Sequence, residues 1–333
     1  MLLIGIAGTE LLRHEHAWLT APGVAGVILF SRNYSHREQL LALVESIRDV
    51  AGEDFLLAVD QEGGPVQRFR TDFTRLPPLM KIGEVYDRNP NEAIELAQEH
   101  AWLMASELRA SGIDFSFAPV ADLARGNAAI GTRAFHADPD IAGELTHAYV
   151  RGIHLGGMAA VLKHFPGHGS VAVDTHKAQA IDPRPLDAIR QNDLRPFLEG
   201  FSAHAEAVMM AHVVYPEVDD QPAGYSRRWI LDILRGELGF HGAVISDDIS
   251  MAAAGAAGGV AERVHAHLQA GCDLVLACFP DVVEQAIAAM PASSEASMQR
   301  VAALRGAVGS TWASLLDNPQ RDHFVARVTA LNS

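Results

Sequence analysis

The amino-acid sequence reads as a single-domain α/β protein whose strands close into a (β/α)8, or TIM, barrel. Three observations lead there. Short apolar runs recur eight times along the 333 residues, and several of them are continuous. Continuous rather than alternating hydrophobicity marks strands buried on both faces, as in a parallel sheet covered by helices. Most of these runs precede a stretch with helical periodicity, and strand–helix alternation at this length favours a closed barrel. The third observation is negative: the G-x-G-x-x-G fingerprint of an open, dinucleotide-binding sheet is missing after the first run.

In chain order, the predicted strands are 2–6, 24–30, 55–59, 113–118, 158–163, 207–212, 243–246 and 273–277. The clearest amphipathic helices are 37–50 and 91–111, and 141–154, 185–201, 227–238 and 260–270 follow between later strands. Two further helical segments, around 293–316 and 321–330, read as the last barrel helix and a C-terminal cover. No low-complexity linker divides the chain, so residues 1–333 are expected to form one barrel domain with a C-terminal helical cover.

Composition sets limits on function. The chain is 49% hydrophobic and carries a formal net charge of −15, which argues against nucleic acid and anionic membrane as main partners. Only two cysteines are present, Cys272 and Cys278, so a disulfide framework is not expected. The apolar start, MLLIGIAG, has no basic leader before it and reads as a first strand rather than a signal peptide. No apolar run approaches the roughly 20 residues that span a bilayer. A cytoplasmic, monomeric protein is the expectation, with no organic cofactor and no metal.

In a barrel, side chains at the C-terminal ends of the strands converge on one mouth. Polar residues gather at five such places: Asp60-Gln-Glu-Gly-Gly after LLAV, Asp122 after FAPVA, Lys163-His164 after AAVL, His212 after VMMA, and Asp247-Asp248 after AVIS. Any one of them could be an ordinary polar loop; their recurrence in register points to a site. The most specific stretch is KHFPGHGSVAVDTH, residues 163–176. Its Pro and glycines shape a loop, and Asp174 lies two residues before His176. A carboxylate at that spacing can orient and stabilise an imidazole, giving a proton shuttle able to donate and later accept. A turn-capping Asp beside a solvated His is the plainer alternative. His164, His168 and His176 do not follow a zinc-site spacing.

KHFPGHG followed by D-T-H, with V-D-Q-E-G-G upstream and S-D-D-I-S downstream, resembles glycoside hydrolase family 3, specifically its bacterial single-domain β-N-acetylhexosaminidases of peptidoglycan recycling. The resemblance runs from about Ile4 to Met251. It implies a retaining, double-displacement mechanism in which Asp247, the first Asp of S-D-D, is the nucleophile. Adjacent residues on an extended segment point to opposite sides, so Asp248 is expected to support the loop instead. The positions of Asp174 and His176 match an Asp–His acid/base pair that replaces the usual second carboxylate. Asp60, Arg68, Arg133, Lys163 and His164 match the residues that hold the sugar ring, and would give an acidic protein a locally cationic pocket.

The implied substrate is terminal β-linked N-acetylglucosamine, from N-acetylglucosaminyl-1,6-anhydromuramyl (peptide) fragments. Phosphorolysis, plain β-glucosidase activity and a catalytically silent sugar-binding barrel are the alternatives. Three departures bear on specificity: Pro65 where a basic residue is usual after E-G-G, Ala243 where a larger apolar residue is usual, and Ala252–Gly255 in place of an acidic-Gly step.

Overall fold

The computed structural model describes residues 1–170, 180–251, 257–307 and 309–332. Eight strands form the barrel: β1 (Leu2–Gly5), β2 (Val24–Leu29), β3 (Leu56–Val59), β4 (Phe115–Ser116), β5 (Ala159–Phe165), β6 (Ala207–Met210), β7 (Ala243–Asp248) and β8 (Leu274–Ala277). Each pairs in parallel with its neighbours in chain order, and Leu2 of β1 pairs with Val275 of β8 to close the ring. The continuous apolar runs are buried throughout: Leu2, Leu3, Ile4, Leu57, Val59 and Val161 are all 0% exposed. Each such side chain contributes roughly 1.5–3 kcal/mol by leaving water.

The helices bury one stripe against this core. Helix α1 (Arg37–Ala51) begins where His36 accepts from Gln39 N, and it buries Leu40, Leu43, Val44 and Ile47 at the i, i+3, i+4, i+7 spacing of one face. Helix α2 (Pro90–Ala110) starts with proline in its first turn behind the Asn89 cap, a position that needs no N–H. At the end of the barrel opposite the strand C-termini, buried Asp114 binds Arg48 and Arg109, and buried Asp273 binds Arg235 and Arg300. Asp114 also accepts from Leu57 N at 2.9 Å, and Asp273 from Val244 N at 2.9 Å, so each carboxylate ties surface helices to strand backbone. The C-terminal helices Trp312–Leu316 and Pro319–Thr329 lie against α2, where Trp312 Nε1 donates to Ser111 Oγ at 3.0 Å and Arg327 pairs with Glu99 at 2.7 Å.

Several elements differ from the sequence reading. The helix expected at 185–201 is two, Leu186–Gln191 and Arg195–Ser202, because Pro196 belongs in a first turn and cannot continue a helix from before it. The helix that follows β8 is Pro280–Ala288, not 293–316; the latter region holds two short helices, Glu295–Ala302 and Trp312–Leu316. Strand β4 keeps only two ladder residues of the six expected, and its continuation meets β5 through the single bridge Val120–Lys163. The small Ala243 sits opposite Ala207 across the β7–β6 ladder, so two small residues share that position. Among the described residues no helix is long and apolar enough to cross a membrane.

Candidate active site

At the C-terminal ends of the strands a cavity of about 650 Å³ is lined by Asp60, Arg68, Arg133, Lys163, His164, Asp247 and Asp248, among others. Asp60 directly follows β3, Lys163 and His164 lie in β5, and Asp247 and Asp248 end β7. Arg68 arrives on a hairpin of Gln61–Gly63 and Val66–Gln67, whose turn uses Gly63 and Gly64 at φ +103° and +55°, a region costly for other residues. Gln61 fastens that hairpin by exchanging side-chain hydrogen bonds with the backbone of Phe69 at 2.9 and 3.0 Å. Arg133 ends a short 3-10 turn, Gly131–Arg133, and donates to the Ala129 carbonyl at 3.0 Å.

These charges form one chain of contacts. Lys163 Nζ lies 2.7 Å from Asp60 and 2.6 Å from Glu62, while Arg68 reaches Asp60 at 3.5 Å. Arg133 grips Glu62 with two parallel bonds of 2.8 Å. Three cations thus face two carboxylates, and this side of the cavity is cationic although the whole chain is strongly acidic. Burial pushes the Asp60 and Glu62 carboxyls up, but the adjacent cations outweigh it and hold both well below the usual range. Both carboxylates are therefore acceptors only, suited to orienting ammonium, guanidinium and hydroxyl groups.

His164 is held from behind. Its Nδ1 donates to the buried Asp122 at 2.7 Å, and Asp122 also accepts from the backbone N–H of His168 at 2.6 Å. Burial pushes the Asp122 carboxyl up, but the contacts with His164 and His168 together outweigh it and hold it below the usual carboxylate range. With Nδ1 committed, Nε2 is the ring atom left for a bound molecule. The peptide between Lys163 and His164 is cis, and both side chains line the cavity.

The two acids that end β7 differ in their engagement. Asp248 accepts from Ser250 Oγ at 2.6 Å, from Ser250 N at 3.1 Å and from Cys278 N at 3.3 Å, and burial raises its pKa. Its carbonyl accepts from buried His212 Nε2 at 3.3 Å. Among the described residues the Asp247 carboxylate accepts only the N–H of Asp248, at 2.8 Å, and takes part in no ion pair, while its backbone carbonyl accepts from Ser246 Oγ at 2.7 Å. A carboxylate that faces a cavity and is not neutralised by a cation keeps its nucleophilic lone pairs for a ligand.

Residues 3–308 match the family described as glycosyl hydrolase family 3 N terminal domain. The chain belongs to glycosyl hydrolase family 3. It is a glycoside hydrolase, and its family relatives are close. A β-hexosaminidase of Stenotrophomonas maltophilia (strain R551-3) is 59% identical over 317 residues, 95% of this chain and 94% of that protein. A β-hexosaminidase of Xanthomonas euvesicatoria pv. vesicatoria (strain 85-10) is 56% identical over 317 residues, 95% of this chain and 94% of that one. Among solved structures, NagZ from Neisseria gonorrhoeae in complex with N-trifluoroacetyl-D-glucosamine has a TM-score of 0.94 and 38% identity, over 100% of this chain and 98% of that chain.

Within this family 3 barrel, the site residues named from sequence are placed as follows. Asp60, Arg68, Arg133, Lys163, His164 and Asp247 meet around one cavity. Asp174 and His176 lie within 171–179, outside the described residues, as do Ala252–Gly255. Pro65 lines the cavity beside Val66. Sequence reasoning passed over Glu62, the carboxylate that joins Lys163 to Arg133; the E-G-G run after a strand end was the available signal. It also found no aromatic platform, yet Phe30, Phe117 and Phe279 line the cavity, with Phe279 50% exposed. The Arg32 guanidinium lies over Phe30 at 4.5 Å and Phe279 at 5.5 Å.

Proposed function

We propose that the protein is a cytoplasmic, monomeric, retaining β-N-acetylhexosaminidase that removes terminal β-linked N-acetylglucosamine from N-acetylglucosaminyl-1,6-anhydromuramyl (peptide) fragments in cell-wall recycling. The observation that carries this reading is the Asp247 carboxylate, free of ion pairs among the described residues, in the same cavity as the Asp60–Lys163–Glu62–Arg133 chain. One feature can attack while the other holds ring hydroxyls. The relatives named β-hexosaminidase, and NagZ solved with an N-acylated glucosamine, support the choice of sugar.

In the first step an Asp247 oxygen attacks the anomeric carbon from the face opposite the aglycone. The glycosidic C–O bond breaks, and the leaving oxygen takes a proton from His176, whose imidazolium Asp174 stabilises. A glycosyl ester on Asp247 results. In the second step neutral His176 takes a proton from water, whose oxygen attacks the same carbon and releases the Asp247 carboxylate. Two inversions give net retention. Asp60, Lys163 and His164 bind hydroxyls of the ring, and bonds to charged groups are the stronger kind.

The test is turnover of an aryl β-N-acetylglucosaminide beside the matching β-glucoside, by wild type and Asp247→Asn, with and without phosphate. Hydrolysis of the acetamido sugar alone, lost in the variant, supports the reading. Preference for the glucoside overturns the substrate, sugar 1-phosphate as product overturns hydrolysis, and silence on both sugars revives the binding-protein alternative.

A further inference from the structure

Residues 171–179 connect two flanks that, among the described residues, are tied to one another by an ion-pair network outside the cavity. On the leading flank, Ser170 Oγ donates to Asp193 Oδ1 at 3.0 Å, and the Tyr215 hydroxyl donates to the Gly167 carbonyl at 2.7 Å. Gly167 also sits so close to Asp193 that an added Cβ would stand 2.7 Å from the Asp193 Cβ. On the trailing flank, Ala180–Ile181 pairs in parallel with Val213–Tyr215, and Asp182 N donates to the Val214 carbonyl at 2.8 Å.

Arg184 joins the two sides. It donates to Asp182 at 2.6 and 2.9 Å, and to Asp193 at 2.7 and 3.1 Å. Asp182 and Asp193 are 2% and 1% exposed, and among the described residues Arg184 is the cation that pairs with both. Its planar fork suits the task, since it meets each carboxylate with two nitrogens in fixed geometry, which a lysine ammonium, a point charge, does not reproduce. Neither Arg184, Asp182, Asp193 nor Ser170 lines the catalytic cavity. Their contacts therefore hold the residues on either side of 171–179 in place from outside the cavity.

We propose that Arg184, with Asp182, Asp193 and Ser170, positions the acid/base pair by clamping both flanks of the segment that bears Asp174 and His176. The inference rests on the assignment of Asp174 and His176 as that pair. A proton donor must sit within hydrogen-bond reach of the leaving oxygen, and misplacement by an ångström is costly. Loosening the clamp therefore weakens protonation of the leaving group and leaves attack by Asp247 intact.

The experiment measures kcat/KM, which reports the first chemical step, for aryl β-N-acetylglucosaminides spanning good to poor leaving groups. Wild type, His176→Ala, Arg184→Lys, Ser170→Ala and the surface control Arg190→Ala are compared in the full chain. Arg184→Lys is expected to stay within about 2-fold of wild type on a dinitrophenyl leaving group, which needs no acid, and to fall about 10-fold or more on the poorest. Ser170→Ala, which leaves Arg184 paired to both carboxylates, is expected to shift the leaving-group slope in the same sense by less, and Arg190→Ala not at all. An equal loss on all substrates, or an unchanged slope, in folded Arg184→Lys or Ser170→Ala overturns the clamp while the acid/base assignment stands. An unchanged slope in His176→Ala overturns the assignment and the clamp with it. Should Arg184→Lys fail to fold, Ser170→Ala carries the test.

Discussion

Replacing Glu62 with glutamine probes the charged chain at its most buried point. Glu62 is 1% exposed and receives two bonds of 2.8 Å from Arg133 and one contact of 2.6 Å from Lys163. Glutamine keeps the shape and removes the charge, leaving Arg133 without its carboxylate and Lys163 with Asp60 alone. Breaking a buried pair from one side costs about 3–5 kcal/mol. For a chain of this length the unfolding entropy is about 0.7 kcal/mol/K, so the loss corresponds to a Tm about 4–7 °C lower. The effect has a defined pH dependence. The folded-state pKa of Glu62 is depressed, so its stabilisation is present above the ordinary carboxylate range, near ~4, and is lost as pH falls through the folded value. The gap between wild type and Glu62→Gln should stay constant from pH 7 to about 5 and narrow below about 4. Circular-dichroism melting across that range is the assay, with kcat/KM at pH 7 expected to fall about 10²-fold as Arg133 and Lys163 lose alignment. A Tm within about 1 °C of wild type at pH 7, together with unchanged kcat/KM, would refute the reasoning.

Asp273→Ala strips the partner from Arg235 and Arg300 and from Val244 N, at the end of the barrel away from the site. It should cost about 3–5 kcal/mol in denaturant unfolding while kcat and KM of the remaining folded enzyme stay at wild-type values. Burial pushes the thiols of Cys272 and Cys278 far up from their ordinary value, so iodoacetamide at pH 8 should label neither in the native protein and both after denaturation. Asp122→Asn removes the charge behind His164, bonded at 2.7 Å, and should lower kcat/KM while leaving Tm within a few degrees of wild type.

The barrel was legible because its strands are buried on both faces, and that condition writes itself into runs such as LLIG and LVLA without need of partners. Elements that depend on neighbours were not. Strand β4 is short because its register with β3 and β5 lasts two residues, a property of pairing rather than of the run 113–118. The break in 185–201 and the start of Pro280–Ala288 were both marked by prolines, at 196 and 280, that belong to helix first turns. For the site, the strand-end residues Asp60, Lys163, His164 and Asp247 could be placed from their position after apolar runs. Arg68 and Arg133 could not, since each comes from a loop beyond its strand, and only the family resemblance singled them out. Glu62 is separated by 71 residues from Arg133, and nothing in a local pattern shows that the two meet. The Phe30 and Phe279 wall is likewise assembled from opposite ends of the chain.

The central claim is a covalent intermediate on Asp247, and mass spectrometry tests it most directly. Wild-type protein is incubated with a 5-fluoro-N-acetylglucosaminyl fluoride, whose good leaving group hastens the first step and whose ring fluorine slows the second, and is then digested and mapped. One added glycosyl group per chain, on the peptide containing Asp247 and absent from Asp247→Asn, is the predicted result. A label on another carboxylate, or none while the acetamido substrate is still turned over with retention, would contradict the account.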